Sequence, residues 1–125
     1  MERFQCQVRF IRGRVFDALM AQFDVHRSKG RNREEIPFVV LVQSSLFDDY
    51  RRRVVVPLVR KSALGRVGHA TFNPTFRIEG TPVVLHPLEI VSVPLDALGD
   101  KVASLADEGM QITNALDQML TRSWG

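Results

Sequence analysis

The sequence predicts a mainly β domain: a mostly antiparallel sheet followed by one C-terminal α-helix. Three observations carry this expectation. Two short runs of β-branched and apolar residues, Phe38 to Val42 and Val54 to Leu58, flank a polar connector, which is the pattern of two neighbouring strands. No stretch between the predicted strands is long enough for the helical crossover that a parallel pair requires. Near the C-terminus the apolar spacing becomes 3, 4, 3, 4, 3 at Val102, Leu105, Gly109, Ile112, Leu116 and Met119, one stripe along a helix.

Taken in chain order, Phe23 to His26 alternates and reads as the first strand, and Ser28 to Glu35 is a charged loop. The two apolar runs follow, joined by a connector that passes from Asp48-Asp49 to Arg51-Arg52-Arg53. That connector is too polar for core and reads as a solvated turn with local ion pairs. Lys61 to His69, with two glycines, is a loop with room for one helical turn. Thr75 to Ile78 alternates and is closed by the turn pair Glu79-Gly80. Val83 to Leu85 and Glu89 to Val93 complete the strands, with Pro74, Pro82, Pro87 and Pro94 at or beside strand ends, where a missing N–H is tolerated. Asp100 is a possible early cap for the helix, Asp107 and Glu108 suit its first turn, and Gly109 weakens its middle, so the regular helix is expected from near Ala106.

The chain has 125 residues, enough for one domain and one core. No apolar run has the length of a membrane span. With a single cysteine, Cys6, there is no internal disulfide, and a cytoplasmic setting fits best. The net charge of +3 is unevenly spread: +2 in residues 1–19, +4 in 20–94 and −3 in 95–125. A polarised, nearly neutral body is not the basic face of a nucleic-acid binder. Residues 1–19 read as an N-terminal extension that is an extra strand, a disordered basic arm or the product of an upstream start codon. The last is preferred, with Met20 opening a domain over residues 20–125, because nothing downstream needs the segment.

Residue patterns for catalysis are absent. His26, His69 and His86 stand apart without a metal-ligand partner at short spacing, so no metal is expected. Gly65 and Gly68 do not form a phosphate loop, there is no nucleophile elbow, and no cofactor is implied. Trp124, the only tryptophan, lies one residue from the end. It is either an exposed binding residue or packed back on its own sheet, and spacing alone does not choose.

Seven segments resemble, in order and spacing, the CcdB family of toxins from bacterial toxin–antitoxin modules. They are QFDV (Gln22–Val25), VQSSLFD (Val42–Asp48), RRRVVVPL (Arg51–Leu58), PTFRIEG (Pro74–Gly80), EIVSVP (Glu89–Pro94), LGDKVASL (Leu98–Leu105) and ITNALDQML (Ile112–Leu120). The resemblance implies an SH3-like, mostly antiparallel small barrel with one C-terminal helix, working as a homodimer. It implies a non-enzymatic toxin that binds the A subunit of DNA gyrase and traps the gyrase–DNA cleavage complex. A CcdA-like antitoxin neutralises such toxins and represses the shared operon with them, so operator DNA is reached only through the antitoxin. The family's gyrase contacts map onto Leu46, Phe47 and Asp48 in the loop, Asp117 on the helix, and Trp124 and Gly125 at the terminus.

This chain departs from the family at that end. The family's final isoleucine is missing, Thr121-Arg122-Ser123 stands between helix and Trp124, and Asp117 occupies a position where Asn is common. Two other readings stay open. One is an mRNA-cleaving toxin on the related MazF/Kid barrel, for which Arg51 to Arg53, Arg77 and His86 are the candidates. The other is a degenerate toxin that retains only antitoxin binding.

Overall fold

A computed structural model of the chain describes residues 21–66 and 68–121, so the extension, Trp124 and Gly125 lie outside the described residues. The β-branched runs become the centre of the sheet. Strands β1 (Asp24–Ser28), β2 (Phe38–Leu41) and β3 (Arg52–Arg60) are followed by a one-turn helix, α1 (Lys61–Leu64). Next come β4 (Thr75–Ile78), β5 (Thr81–Leu85), β6 (Val91–Pro94), β7 (Leu98–Ser104) and the C-terminal helix α2 (Gly109–Thr121). Every strand pair is antiparallel, in the order β4-β5-β3-β2-β1-β7 with β6 also on β3. The sheet curls into a half-barrel with the helix at its end, as the sequence predicts.

The long strand β3 organises the curl. It pairs with β2 along one edge. Along the other it pairs with β6 from Arg52 to Val55 and with β5 from Leu58 to Arg60. Pro57 falls in the gap between those partners, where its absent N–H breaks no ladder bond, and its carbonyl accepts the His86 N–H at 3.1 Å. The β4–β5 hairpin turns on Glu79 and Gly80, with φ of 52° and 79°, a two-residue turn with both φ positive.

Alternation splits the side chains of β2 and β3 between two cores. Val40, Val56 and Leu58 pack with Val25, Phe76, Ile78, Val83 and Leu85 against Leu105, Ile112 and Ala115 of the C-terminal segment. On the opposite face, Leu41 and Val55 pack with Leu98, under Val39 and Val93.

Three expectations are corrected. The helical stripe does not begin at Val102: residues 98–104 form β7, which pairs with β1, and Asp100 is a strand residue instead of a cap. The free edge of β1 recruits this segment, and Gly99 lets it come close, since a Cβ there would lie 2.8 Å from the Arg27 carbonyl oxygen. The predicted strand at Glu89 is instead a 3-10 turn over Pro87–Glu89, with the strand starting at Val91. Gly109 is not a weak point in mid-helix but the first residue of α2.

Gly109 is needed where it stands. Phe23, at φ 72°, is a bulky residue in the left-handed region, a rare state. Its ring reaches Gly109, where a Cβ would sit 2.7 Å from Phe23 Cε2. Gly109→Ala is expected to destabilise the fold by about 1–2 kcal/mol, overpacking outweighing the gain in helix propensity. Urea unfolding of the two proteins measures it.

Candidate functional site

The connector between β2 and β3 builds an exposed apolar edge. Ser44 starts a 3-10 turn over Ser45–Phe47, its hydroxyl accepting the Leu46 N–H at 3.2 Å. No residue of that turn is buried, and Leu46 is 82% exposed. Phe47 and Tyr50, both exposed, meet edge to face with ring centres 6.2 Å apart, a favourable quadrupolar arrangement. Beneath the rings lies a predominantly apolar cleft of about 430 Å³, lined by Gln43, Phe47, Tyr50, Arg52, Val54 and Ser92, with Arg51 at its edge.

The loop is held by polar side chains. Gln43 donates from Nε2 to the Phe47 carbonyl at 3.0 Å and accepts the Val54 N–H at 2.9 Å. Arg53 is 2% exposed, which corrects the reading of the whole connector as a solvated turn. Its Nη1 donates to the carbonyls of Tyr50 (2.6 Å) and Arg52 (3.0 Å), and its Nη2 to that of Asp48 (2.8 Å). The Asp48 carboxylate faces it with Oδ1 3.8 Å from Nε.

Asp117 is exposed on α2, directly after Leu116, while Ile112 and Ala115 turn into the core. Arg52 and Val54 alternate with Arg53 and Val55 and so lie on the side of Val56, which shares a core with Ile112 and Ala115. Of the six residues implied by resemblance, the structure describes Leu46, Phe47, Asp48 and Asp117; Trp124 and Gly125 lie outside it.

Gln43 and Tyr50 were not singled out by the sequence, and Arg53 stood out only as part of a basic run. The alternation in RRRVVVPL carried a signal for the burial of Arg53, which falls on the same face as the buried Val55.

Of the candidate groups for RNA cleavage, Arg77 stands apart from Arg51 to Arg53. Arg53 is committed to loop carbonyls, Arg52 donates to Ser92, and Arg77 donates to the Gly80 carbonyl in the β4–β5 hairpin. Arg52 and Arg60 stand at opposite ends of β3, about 26 Å apart at strand rise, and Arg77 lies beside Pro82 beyond the Arg60 end. The His86 imidazole has its Nδ1 buried without a hydrogen-bond partner. Among the described residues no helix is long and apolar enough to cross a membrane, and none gather as three or more metal-ligating side chains.

The sequence model of the CcdB protein family matches residues 22–122. Solved structures share the fold, two mycobacterial proteins among them. An endoribonuclease from a mycobacterial species superposes with a TM-score of 0.61 at 17% identity, over 84% of this chain and 94% of that one. An endoribonuclease in complex with its cognate antitoxin, also mycobacterial, superposes with a TM-score of 0.64 at 16% identity, over 84% and 98%.

Proposed function

This chain belongs to the CcdB family, and from that we propose that it is the toxin of a type II toxin–antitoxin module, directed at DNA gyrase. It acts in the cytoplasm as a homodimer, binds the A subunit of gyrase, and traps the covalent gyrase–DNA complex without itself catalysing a reaction. The observation that carries the reading is the exposed Leu46–Phe47–Tyr50 edge, whose two aromatic rings line an apolar cleft. Exposed aromatic and aliphatic side chains around a cleft are what a protein-binding hot spot requires. The family resemblance adds Trp124 and Gly125 to that contact. The antitoxin is a CcdA-like chain, which neutralises the toxin and carries it to operator DNA. A same-fold protein bound to its cognate antitoxin supports that partner.

The mRNA-cleaving alternative draws on the two endoribonucleases that share the fold. The separation of Arg77 from Arg51 to Arg53 along the sheet, and the commitment of Arg53 to loop carbonyls, speak for the gyrase reading. A degenerate toxin that binds only antitoxin is the third possibility. Producing the full chain in cells with normal or toxin-resistant gyrase separates them. Killing relieved by the resistant gyrase is expected. Killing that persists, with fragmented mRNA, would move the assignment to RNA cleavage, and antitoxin binding without killing to the degenerate form.

A further inference from the structure

We infer that Arg53, together with Gln43, is a positioning residue for partner recognition: it fixes the Leu46–Phe47–Tyr50 edge by capturing the carbonyls of the loop that carries it. The inference rests on the reading of this edge as the gyrase contact.

Packing does not fix this loop. Ser45, Leu46, Phe47, Asp49, Tyr50 and Arg51 are all exposed, and segments without buried apolar contacts open easily. Two side chains of the sheet reach into the loop, beside the backbone bond from the Leu95 N–H to the Arg51 carbonyl. Gln43, at the end of β2, bridges the Phe47 carbonyl to the Val54 N–H of β3. Arg53 sits within β3, in register with Val93 of β6. One face of its guanidinium fork spans carbonyls two residues apart, those of Asp48 and Tyr50. A planar, multi-donor group does this; the single ammonium of lysine does not.

The energetics point away from a purely stabilising role. A guanidinium 2% exposed carries a desolvation cost. Its Nε has no hydrogen-bond partner, and the Asp48 carboxylate oxygen lies 3.8 Å from it. Replacing a buried ion pair as a whole by apolar groups is often neutral for stability, whereas removing one partner leaves the others unpaired. Loss of Arg53 is therefore expected to lower stability by the cost of the loop carbonyls it leaves unpaired, and to release the edge that those carbonyls carry. A loop already held in its binding conformation also avoids an ordering cost on association.

The test compares the full chain with Arg53→Met, Arg53→Lys and Gln43→Ala by amide hydrogen exchange, affinity for gyrase, and a double-mutant cycle with Leu46→Ala. Exchange at Phe47, Asp48 and Tyr50 should rise at least tenfold more than exchange in the core strands of the sheet. Affinity should fall by about 10- to 100-fold, and Leu46→Ala should cost much less in the Arg53→Met background than in the native one. Unchanged loop protection, or additive effects of the Leu46 and Arg53 substitutions, would overturn the inference. If Arg53→Met fails to fold, Arg53→Lys and Gln43→Ala carry the same comparison. If the native chain does not bind gyrase, the functional reading falls, and the exchange result alone upholds or overturns the clamp.

Discussion

Leu46→Arg is expected to weaken binding to gyrase by about 30-fold or more, the range of a hot-spot residue, and to leave the thermal midpoint within about 2 °C of native. Both halves follow from the side chain's position. Leu46 is 82% exposed on a turn without buried residues, so the fold has almost nothing to lose when it is replaced. A partner that buries it would instead meet a charge where it needs an apolar group, and burying an unpaired charge is costly. The same substitution should leave antitoxin binding intact if the antitoxin uses another face. Titration of each partner, with a melting curve of each protein, provides the check. Loss of gyrase binding together with a large fall in stability would mean that Leu46 is a structural residue.

Ile112→Ala is expected to have the opposite signature. Ile112 is fully buried between α2 and the sheet, in one core with Val56, Leu58 and Leu105. Its truncation removes buried apolar surface and leaves a cavity, costing about 2–5 kcal/mol. Against a typical domain stability of about 5–15 kcal/mol, that is a large share. The helix is the element most affected, because Ile112 and Ala115 are its fully buried anchors. Asp117 stands five residues beyond Ile112 on that helix, so gyrase affinity should fall with stability. Affinity restored at low temperature or by a stabilising second substitution would identify the loss as indirect. Urea denaturation should show a lower midpoint with an unchanged slope; an unchanged midpoint would mean that the helix is not docked as described.

The strands β2 and β3 were legible because their signal is self-contained: a β-branched run between turn-formers declares itself without its neighbours. The hairpin at Glu79-Gly80 was legible for the same local reason. Strand β7 was not. Its segment offers only Leu98, Val102 and Ala103 as apolar residues, and Val102 fits a helical period with Leu105 as well as it fits a strand. What decides is the edge of β1, together with the space at Gly99 and the Lys101–Asp24 ion pair at 3.4 Å, none of which a one-dimensional pattern displays. Burial of Arg53 was missed because charge runs are usually solvated, although alternation with Val55 carried the hint. The site residues came from resemblance to the family, not from composition. The structure adds that Leu46 and Phe47 are exposed and that Phe47 lines an apolar cleft.

The departures from the family pattern bear on potency. Asp117 places a carboxylate where an amide is common, and the three residues before Trp124 lengthen the arm that would carry the aromatic ring. The loop edge itself is held by Gln43 and Arg53.

The central claim is that this chain holds gyrase on cleaved DNA. The most direct measurement mixes purified gyrase, supercoiled plasmid and the full chain, or its Trp124→Ala variant, and then denatures the protein to reveal linear DNA. The account predicts linear DNA that increases with the native chain and is reduced by the variant. Full supercoiling activity with no linear product at saturating toxin would contradict it.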